Sequence, residues 1–106
     1  LPSRLEKVMG RVDFAQAEDC LTLSVWAPMP LEASAKRAVM VYFHGGAWMS
    51  GAGSLSVYSG AEMARAGGIV VVNVNYRLGV LGYLDVNGMP GSGSGANRGL
   101  LDHVAA

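Results

Sequence analysis

Apolar and small polar residues alternate through Leu21-Thr22-Leu23-Ser24-Val25-Trp26-Ala27. Successive side chains of a strand point to opposite faces, so this pattern predicts a strand with one buried face, stopped by Pro28 and Pro30. Two other segments do not alternate. Ala38-Val39-Met40-Val41-Tyr42-Phe43 and Ile69-Val70-Val71-Val72-Asn73-Val74-Asn75 are nearly continuous apolar runs rich in β-formers. Runs of that kind fit strands buried on both faces, as in a parallel sheet. Between them Val57, Ala61 and Ala64 fall on one helical stripe. A helix is predicted from a cap at Ser54 or Ser56 to Arg65, ended by Gly67 and Gly68. Residues 76–96 read as a long glycine-rich loop. Asn97 reads as the cap of a last helix, with Leu100, Leu101, Val104 and Ala105 at helical spacing. Residues 1–19 are mixed and polar, without a strong period.

The predicted order is strand, strand, helix, strand, helix. Two apolar strands joined through a helix form a βαβ unit with a right-handed crossover, so the fold class is α/β with a mostly parallel sheet. Three strands and two helices cannot cover both faces of such a sheet. The expectation is that residues 1–106 form the N-terminal part of a single, incomplete domain, with further strands and helices after Ala106. Composition agrees with a packed core: 51% of residues are hydrophobic and 15% charged, which excludes a disordered chain. Lys and Arg number 8, as do Asp and Glu, so no basic surface asks for nucleic acid. The longest apolar runs are strand-sized, so no membrane span is expected. No charged segment followed by an apolar stretch opens the chain; no signal peptide is read there, and the cytoplasm is favoured. Cys20 is the single cysteine, which rules out a disulfide within these residues; it reads as a small buried apolar side chain.

The second predicted strand runs directly into His44-Gly45-Gly46-Ala47-Trp48. Adjacent glycines let the backbone turn abruptly and let a ligand come close to the main chain. Successive N–H groups on such a turn can converge on one point and make an anion hole, the device that stabilises the tetrahedral oxyanion in acyl transfer. A tight turn leaving a strand is the other reading of the same residues, and the tripeptide alone does not separate the two.

The wider context does. Glu18-Asp19-Cys20-Leu21-Thr22-Leu23-Ser24-Val25-Trp26-Ala27-Pro28 resembles the EDCL-x-L-N-V-x-x-P signature of type-B carboxylesterases. His44-Gly45-Gly46-Ala47-Trp48, with Gly51 after it, resembles that family's HGG[GA]-aromatic loop. Asn75-Tyr76-Arg77-Leu78-Gly79, followed by Gly82-Tyr83-Leu84, resembles its NYRLG-x-x-GFL segment, and Asn97-Arg98-Gly99-Leu100-Leu101-Asp102-His103 its N-x-GLLDQ helix start. The order of the four makes the resemblance specific over residues 18–103. It implies the α/β-hydrolase fold and hydrolysis of small-molecule carboxylic esters by a Ser-acid-His triad, with no metal and no organic cofactor. It also implies that Gly46 and Ala47 give two N–H donors to an oxyanion hole, that Gly45 gives the turn room, and that Trp48 floors the pocket or packs under the loop. Arg77 and Asp102 read as a structural ion pair.

Departures define what these residues lack. No G-x-S-x-G nucleophile elbow occurs in the chain, and the family's triad acid and histidine lie further downstream. His44 belongs to the oxyanion loop rather than acting as general base. His103 stands where the family has Gln. No catalytic triad residue is therefore expected here: the segment supplies the oxyanion-hole loop, needs the remainder of the esterase chain to complete the fold, and does not catalyse alone. No Trp lies in residues 8–17, which argues against a choline-binding enzyme. Two rivals remain: a non-catalytic cholinesterase-like adhesion or scaffold relative, since fold does not fix function, and a nucleotide-binding module. For the latter, Gly91-x-Gly93-x-x-Ala96 meets the G-x-G-x-x-[GA] pattern, but no strand precedes it.

Overall fold

Three strands pair around a central β3. In a computed structural model, which describes residues 15–32, 34–90 and 95–106, the sheet has the order β1-β3-β2, with β1 at Leu23–Trp26, β2 at Val39–Phe43 and β3 at Val70–Val74. β2 and β3 run parallel and β1 antiparallel to β3. The crossover from β2 to β3 carries a 3₁₀ turn, Ser56–Tyr58, and α1, Ala61–Gly67. Two further helices follow, α2 at Gly79–Tyr83 and α3 at Arg98–Ala105. Most of residues 1–19, and Gly91 and Gly93 of the nucleotide-type match, lie outside the described residues.

Register decides which side chains share a face. Trp26 and Met40 both stand opposite Val71, and Ser24 and Tyr42 opposite Asn73. The crossover packs on this face. Gly60, at the N-terminus of α1, lies so close to the sheet that a Cβ there would come within 2.5 Å of the Val71 side chain and 3.0 Å of the Trp26 ring. The rings of Tyr42 and Tyr58 meet at 5.1 Å. Asn73, buried in the middle of this face, donates from its amide to the carbonyls of Gly53 (3.1 Å) and Tyr58 (2.6 Å). A buried polar side chain is tolerated when it is paired in this way.

The opposite face is largely open. Leu23, Val25, Val39 and Val41 are 44–60% exposed, and so are Leu100 and Leu101 of α3 within the same span of values. Among the described residues, its end near Phe43 is covered, where the His103 ring of α3 approaches Phe43 at 4.4 Å. α3 is held to the segment after β3 by an ion pair. Asp102 Oδ2 accepts from the Arg77 backbone N–H at 3.0 Å and from Arg77 Nε at 2.9 Å, and Oδ1 accepts from the guanidinium at 2.6 Å. The Arg77 hydrogen bonds hold the Asp102 carboxyl below the ordinary aspartate range, against the opposing effect of its burial. These two residues form the structural ion pair read from the sequence.

Several expectations need correction. The first strand hides the face opposite to the one its pattern suggested: Leu23 and Val25 are exposed, and Ser24 and Trp26 are half-buried, because the crossover packs on the Trp26 side. β2 is not buried on both faces, since Val39 and Val41 line the open one. The single helix expected from Ser54 or Ser56 is broken at Ser59 and Gly60. Neither serine caps it, and Val57 is exposed. Close approach of Gly60 to Val71 sets the start of α1 instead. The end of α1 is as read, with Gly68 left-handed (φ 64°) and its N–H on the Ala64 carbonyl. Asn97 does precede α3, but in a left-handed conformation without a side-chain cap. The loop expected over residues 76–96 contains α2, which is too short to announce itself by periodicity.

Two outcomes follow. Expressed as these 106 residues alone, the chain should bind the dye ANS and elute above monomer size, because an apolar sheet face and two strand edges are exposed; a dye-silent monomer would mean that this face is covered. In the full-length protein, Asp102→Ala should lower unfolding free energy by about 1–3 kcal/mol at neutral pH, since it removes a buried carboxylate and leaves the half-buried Arg77 side chain without its partner. The folded carboxyl titrates below its unfolded value, so the pair's contribution is complete above the ordinary aspartate range and fades as pH falls through the lower, folded value. Urea titrations of both proteins at several pH values would test this; a stability gap that persists unchanged into strong acid would refute it.

Candidate functional site

β2 ends at Phe43, and the chain leaves the sheet through His44, which is 2% exposed. Three residues then adopt positive φ in succession: Gly46 at 135°, Ala47 at 53° and Trp48 at 60°. Gly46 is required by space as well as by angle. A Cβ there would stand 1.8 Å from the Ser50 carbonyl oxygen. Ala47 and Trp48 carry side chains in a region that side-chain-bearing residues rarely adopt, at a cost of about 1–3 kcal/mol each. Such strain persists only where the surroundings hold it.

The surroundings hold this loop by its carbonyls. The His44 carbonyl accepts the Tyr76 phenol O–H. The Gly45 carbonyl accepts from Nδ1 of His44 at 2.9 Å. The Gly46 carbonyl accepts from the N–H groups of Met49 (3.1 Å) and Ser50 (3.2 Å), and the Trp48 carbonyl from the Gly79 N–H (2.6 Å). Among the described residues no acceptor takes the N–H of Gly46 or of Ala47. The loop therefore spends its acceptors inward and leaves two neighbouring donors unspent. Further along, the Gly53 N–H donates to the Asn75 side chain at 2.7 Å, and Asn75 donates to Thr22 Oγ1 at 2.9 Å, so the end of β3 anchors both the loop and the β1 side.

The ring of His44 stacks on that of Tyr76, with centroids 4.5 Å apart and planes 23° from parallel. The edge of Tyr76 meets His103 at 4.2 Å. Burial lowers the His44 pKa; His103 nearby acts in the same direction and the Gly45 carbonyl opposes. His44 is thus a neutral ring, and its Nδ1 carries the hydrogen because a carbonyl can only accept. Burial raises the Tyr76 phenol above its ordinary range, with the other tyrosines adding to it, so it remains a donor.

Of the residues singled out from the sequence, Gly45, Gly46, Ala47 and Trp48 lie on one turn, with Trp48 62% exposed and its ring 6.1 Å from that of Tyr83. Cys20 is half-buried and free. It lines an open cavity of about 670 Å³ with His44, Ser50, Asn75, Tyr76 and Arg77; Gly46 and Ala47 do not line it. Tyr76 and Gly79, which support the loop, belong to a motif recognised in the sequence, but no pattern of spacing could tie them to residues some thirty positions earlier. Among the described residues no group of three His, Cys, Asp or Glu side chains could hold a metal ion, and no helix is long and apolar enough to cross a membrane.

Known proteins are similar to this chain in sequence and fold. The family model described as "Carboxylesterase family" matches residues 2–106. A probable N-octanoylanthranilate hydrolase, AqdA2, of Rhodococcus erythropolis is 50% identical over 106 residues, covering 99% of this chain and 22% of that protein. Carboxylesterase 3B of Mus musculus is 45% identical over 95 residues, covering 88% of this chain and 15% of its own length. Among solved structures, a thermophilic PNB esterase superposes with a TM-score of 0.81 at 40% identity over 98% of this chain and 21% of that one. A further PNB esterase gives 0.75 at 44% identity, covering 85% and 19%. The chain thus spans well under two thirds of the length of each relative, and its sheet and helices are part of the α/β-hydrolase fold. On the family match over nearly its whole length, this chain belongs to the carboxylesterase family.

Proposed function

We propose that the full-length protein hydrolyses small-molecule carboxylic esters through a serine nucleophile, and that these residues contribute its oxyanion hole as one part of a single α/β-hydrolase domain. The observation that carries the reading is the loop after β2. Its carbonyls at His44, Gly45, Gly46 and Trp48 all accept bonds from within, while the N–H groups of Gly46 and Ala47 have no acceptor among the described residues. Donors fixed in place before the reaction stabilise charge that appears only in the transition state, without the reorganisation that water would need. The room that the turn needs comes from Gly46 and Gly51 rather than from Gly45 as expected, since a Cβ at Gly45 would meet nothing within 4 Å; Trp48 would form an apolar wall beside the donors.

In this reading the serine Oγ, contributed by a segment outside these residues, attacks the ester carbonyl while a histidine oriented by a carboxylate takes its proton. The carbonyl oxygen becomes an oxyanion and receives the N–H groups of Gly46 and Ala47. Collapse expels the alcohol, protonated by the same histidine, and leaves an acyl-enzyme. Water then repeats the sequence and releases the acid. The membership of this chain in the carboxylesterase family supports this chemistry.

The full-length protein should turn over a p-nitrophenyl ester and take a fluorescent serine-reactive phosphonate, whereas the 106 residues alone should do neither. A full-length protein inert to both reagents would identify a non-catalytic relative. Labelling of the isolated 106 residues would place the nucleophile among them. Within the full-length enzyme, Gly46→Val, whose Cβ would collide with the Ser50 carbonyl oxygen and displace the Gly46 N–H, should lower kcat by about 100-fold or more with a much smaller change in KM, the loss expected when an oxyanion donor is misplaced. Unchanged turnover would remove Gly46 from the assignment.

A further inference from the structure

The direction of the Gly46 N–H is set by a side chain. In a trans peptide the carbonyl of one residue and the N–H of the next lie in one rigid plane and point opposite ways. The Gly45 carbonyl and the Gly46 N–H are the two ends of one such plane. Nδ1 of His44 holds the carbonyl end at 2.9 Å, so the N–H end points away from the His44 ring. We infer that His44 is a positioning residue that orients the Gly46 N–H as an oxyanion donor, and that Tyr76 is the residue that fixes His44. This rests on the oxyanion-hole reading of the loop and deepens it.

Three features of the structure converge on this role. The His44 ring is buried and stacked on Tyr76, so it cannot swing away from the Gly45 carbonyl without breaking that stack. The Tyr76 phenol donates to the carbonyl of His44 itself, fixing the peptide plane just before the one in question. Gly51 leaves the room that the bond needs. It sits at φ 116°, and a Cβ there would come within 2.5 Å of His44 Nδ1 and 2.8 Å of the Gly45 oxygen. The next plane is held by a different device. The Gly46 carbonyl takes the N–H groups of Met49 and Ser50, which leaves the Ala47 N–H pointing the other way. His44 therefore governs one donor and the backbone turn governs the other. His44 lines a cavity whose lining does not include Gly46 or Ala47, so the role inferred for it acts through the peptide rather than by direct contact.

The test compares His44→Phe, which keeps a ring but removes the donor, with His44→Asn, whose amide can donate to the same carbonyl, and with Tyr76→Phe, which deletes one oxygen. All are made in the full-length protein. Each is followed by kcat and KM on a p-nitrophenyl ester, by thermal midpoint, and by the amide resonance of Gly46 in glycine-labelled protein. His44→Phe should lower kcat about 10- to 100-fold, less than or equal to the loss of a whole donor, with KM within about twofold and the Gly46 resonance displaced. His44→Asn should recover most of kcat and return the resonance toward its original place. Tyr76→Phe should give a smaller fall of the same kind. A folded His44→Phe with unchanged kcat and unmoved Gly46 resonance overturns the inference, as does an Asn variant no better than the Phe variant. If His44→Phe does not fold, Tyr76→Phe decides by the same readouts. If the unaltered protein hydrolyses no ester, the proposed function fails, and the Gly46 resonance in the variants still decides whether His44 sets that peptide.

Discussion

In the proposed oxyanion-hole reading, a backbone N–H held ready for a ligand must find no partner inside the protein, and this constraint organises the residues around the loop. Ordinary secondary structure pairs each donor with an acceptor on the chain. The turn after β2 does the reverse: it leaves the Gly46 and Ala47 N–H groups without an acceptor among the described residues and passes through three positive φ angles. Left to itself such a segment would relax toward hydrogen bonds of its own. The structure prevents this by gripping the other end of each peptide. Carbonyls at positions 44, 45, 46 and 48 accept, in order, from a phenol, an imidazole, two backbone amides and a third amide. Because peptide planes are rigid, fixing the carbonyls fixes the donors without touching them.

The grip comes from a distance along the chain. Tyr76 and Gly79, which hold the His44 and Trp48 carbonyls, follow β3 directly, and β3 lies beside β2 in the sheet. Parallel pairing from Val39↔Val70 to Phe43↔Val74 brings the two strand ends level, so that what leaves β3 meets what leaves β2. Arg77 lies between the two supports and is clamped to Asp102 through three hydrogen bonds. The same pair that docks α3 therefore also steadies the segment bearing Tyr76 and Gly79. Asn73 and Asn75 complete the frame from within β3 and just beyond it, one holding the crossover against the sheet and the other holding Gly53 and Thr22.

Much of this was legible in the chain of residues. The apolar runs placed β2 and β3, the glycine pair placed the turn, and the ordered motifs placed the family. Other features were not, and the reasons are physical. The alternation in β1 specifies two faces but not which one a neighbour covers; the crossover chose the Trp26 face, so Leu23 and Val25 remain exposed. Val57 had the spacing of a helix, yet the approach of Gly60 to Val71 broke that helix before α1. α2 is one short turn of helix, below the length at which a period can be recognised. The supporting roles of His44 and Tyr76 depend on which atoms meet across the sheet, and local sequence holds no record of that.

The distribution of closed and open surfaces separates two tasks within the fold. Every bond that fixes the loop carbonyls comes from residues 44–79, and the ion pair that braces them ends at Asp102. The donors are consequently shaped by local packing, whatever occupies the open face of Leu23, Val25, Val39 and Val41. A preorganised site needs this independence: its dipoles must already be oriented when charge develops, since reorienting them during reaction would return the cost that catalysis removes. In the esterase reading, pocket walls that choose among substrates can then vary while the peptide planes at Gly45–Gly46 and Gly46–Ala47 stay fixed. The strain at Ala47 and Trp48 is compatible with that division, because it lies inside the braced segment rather than at its boundary.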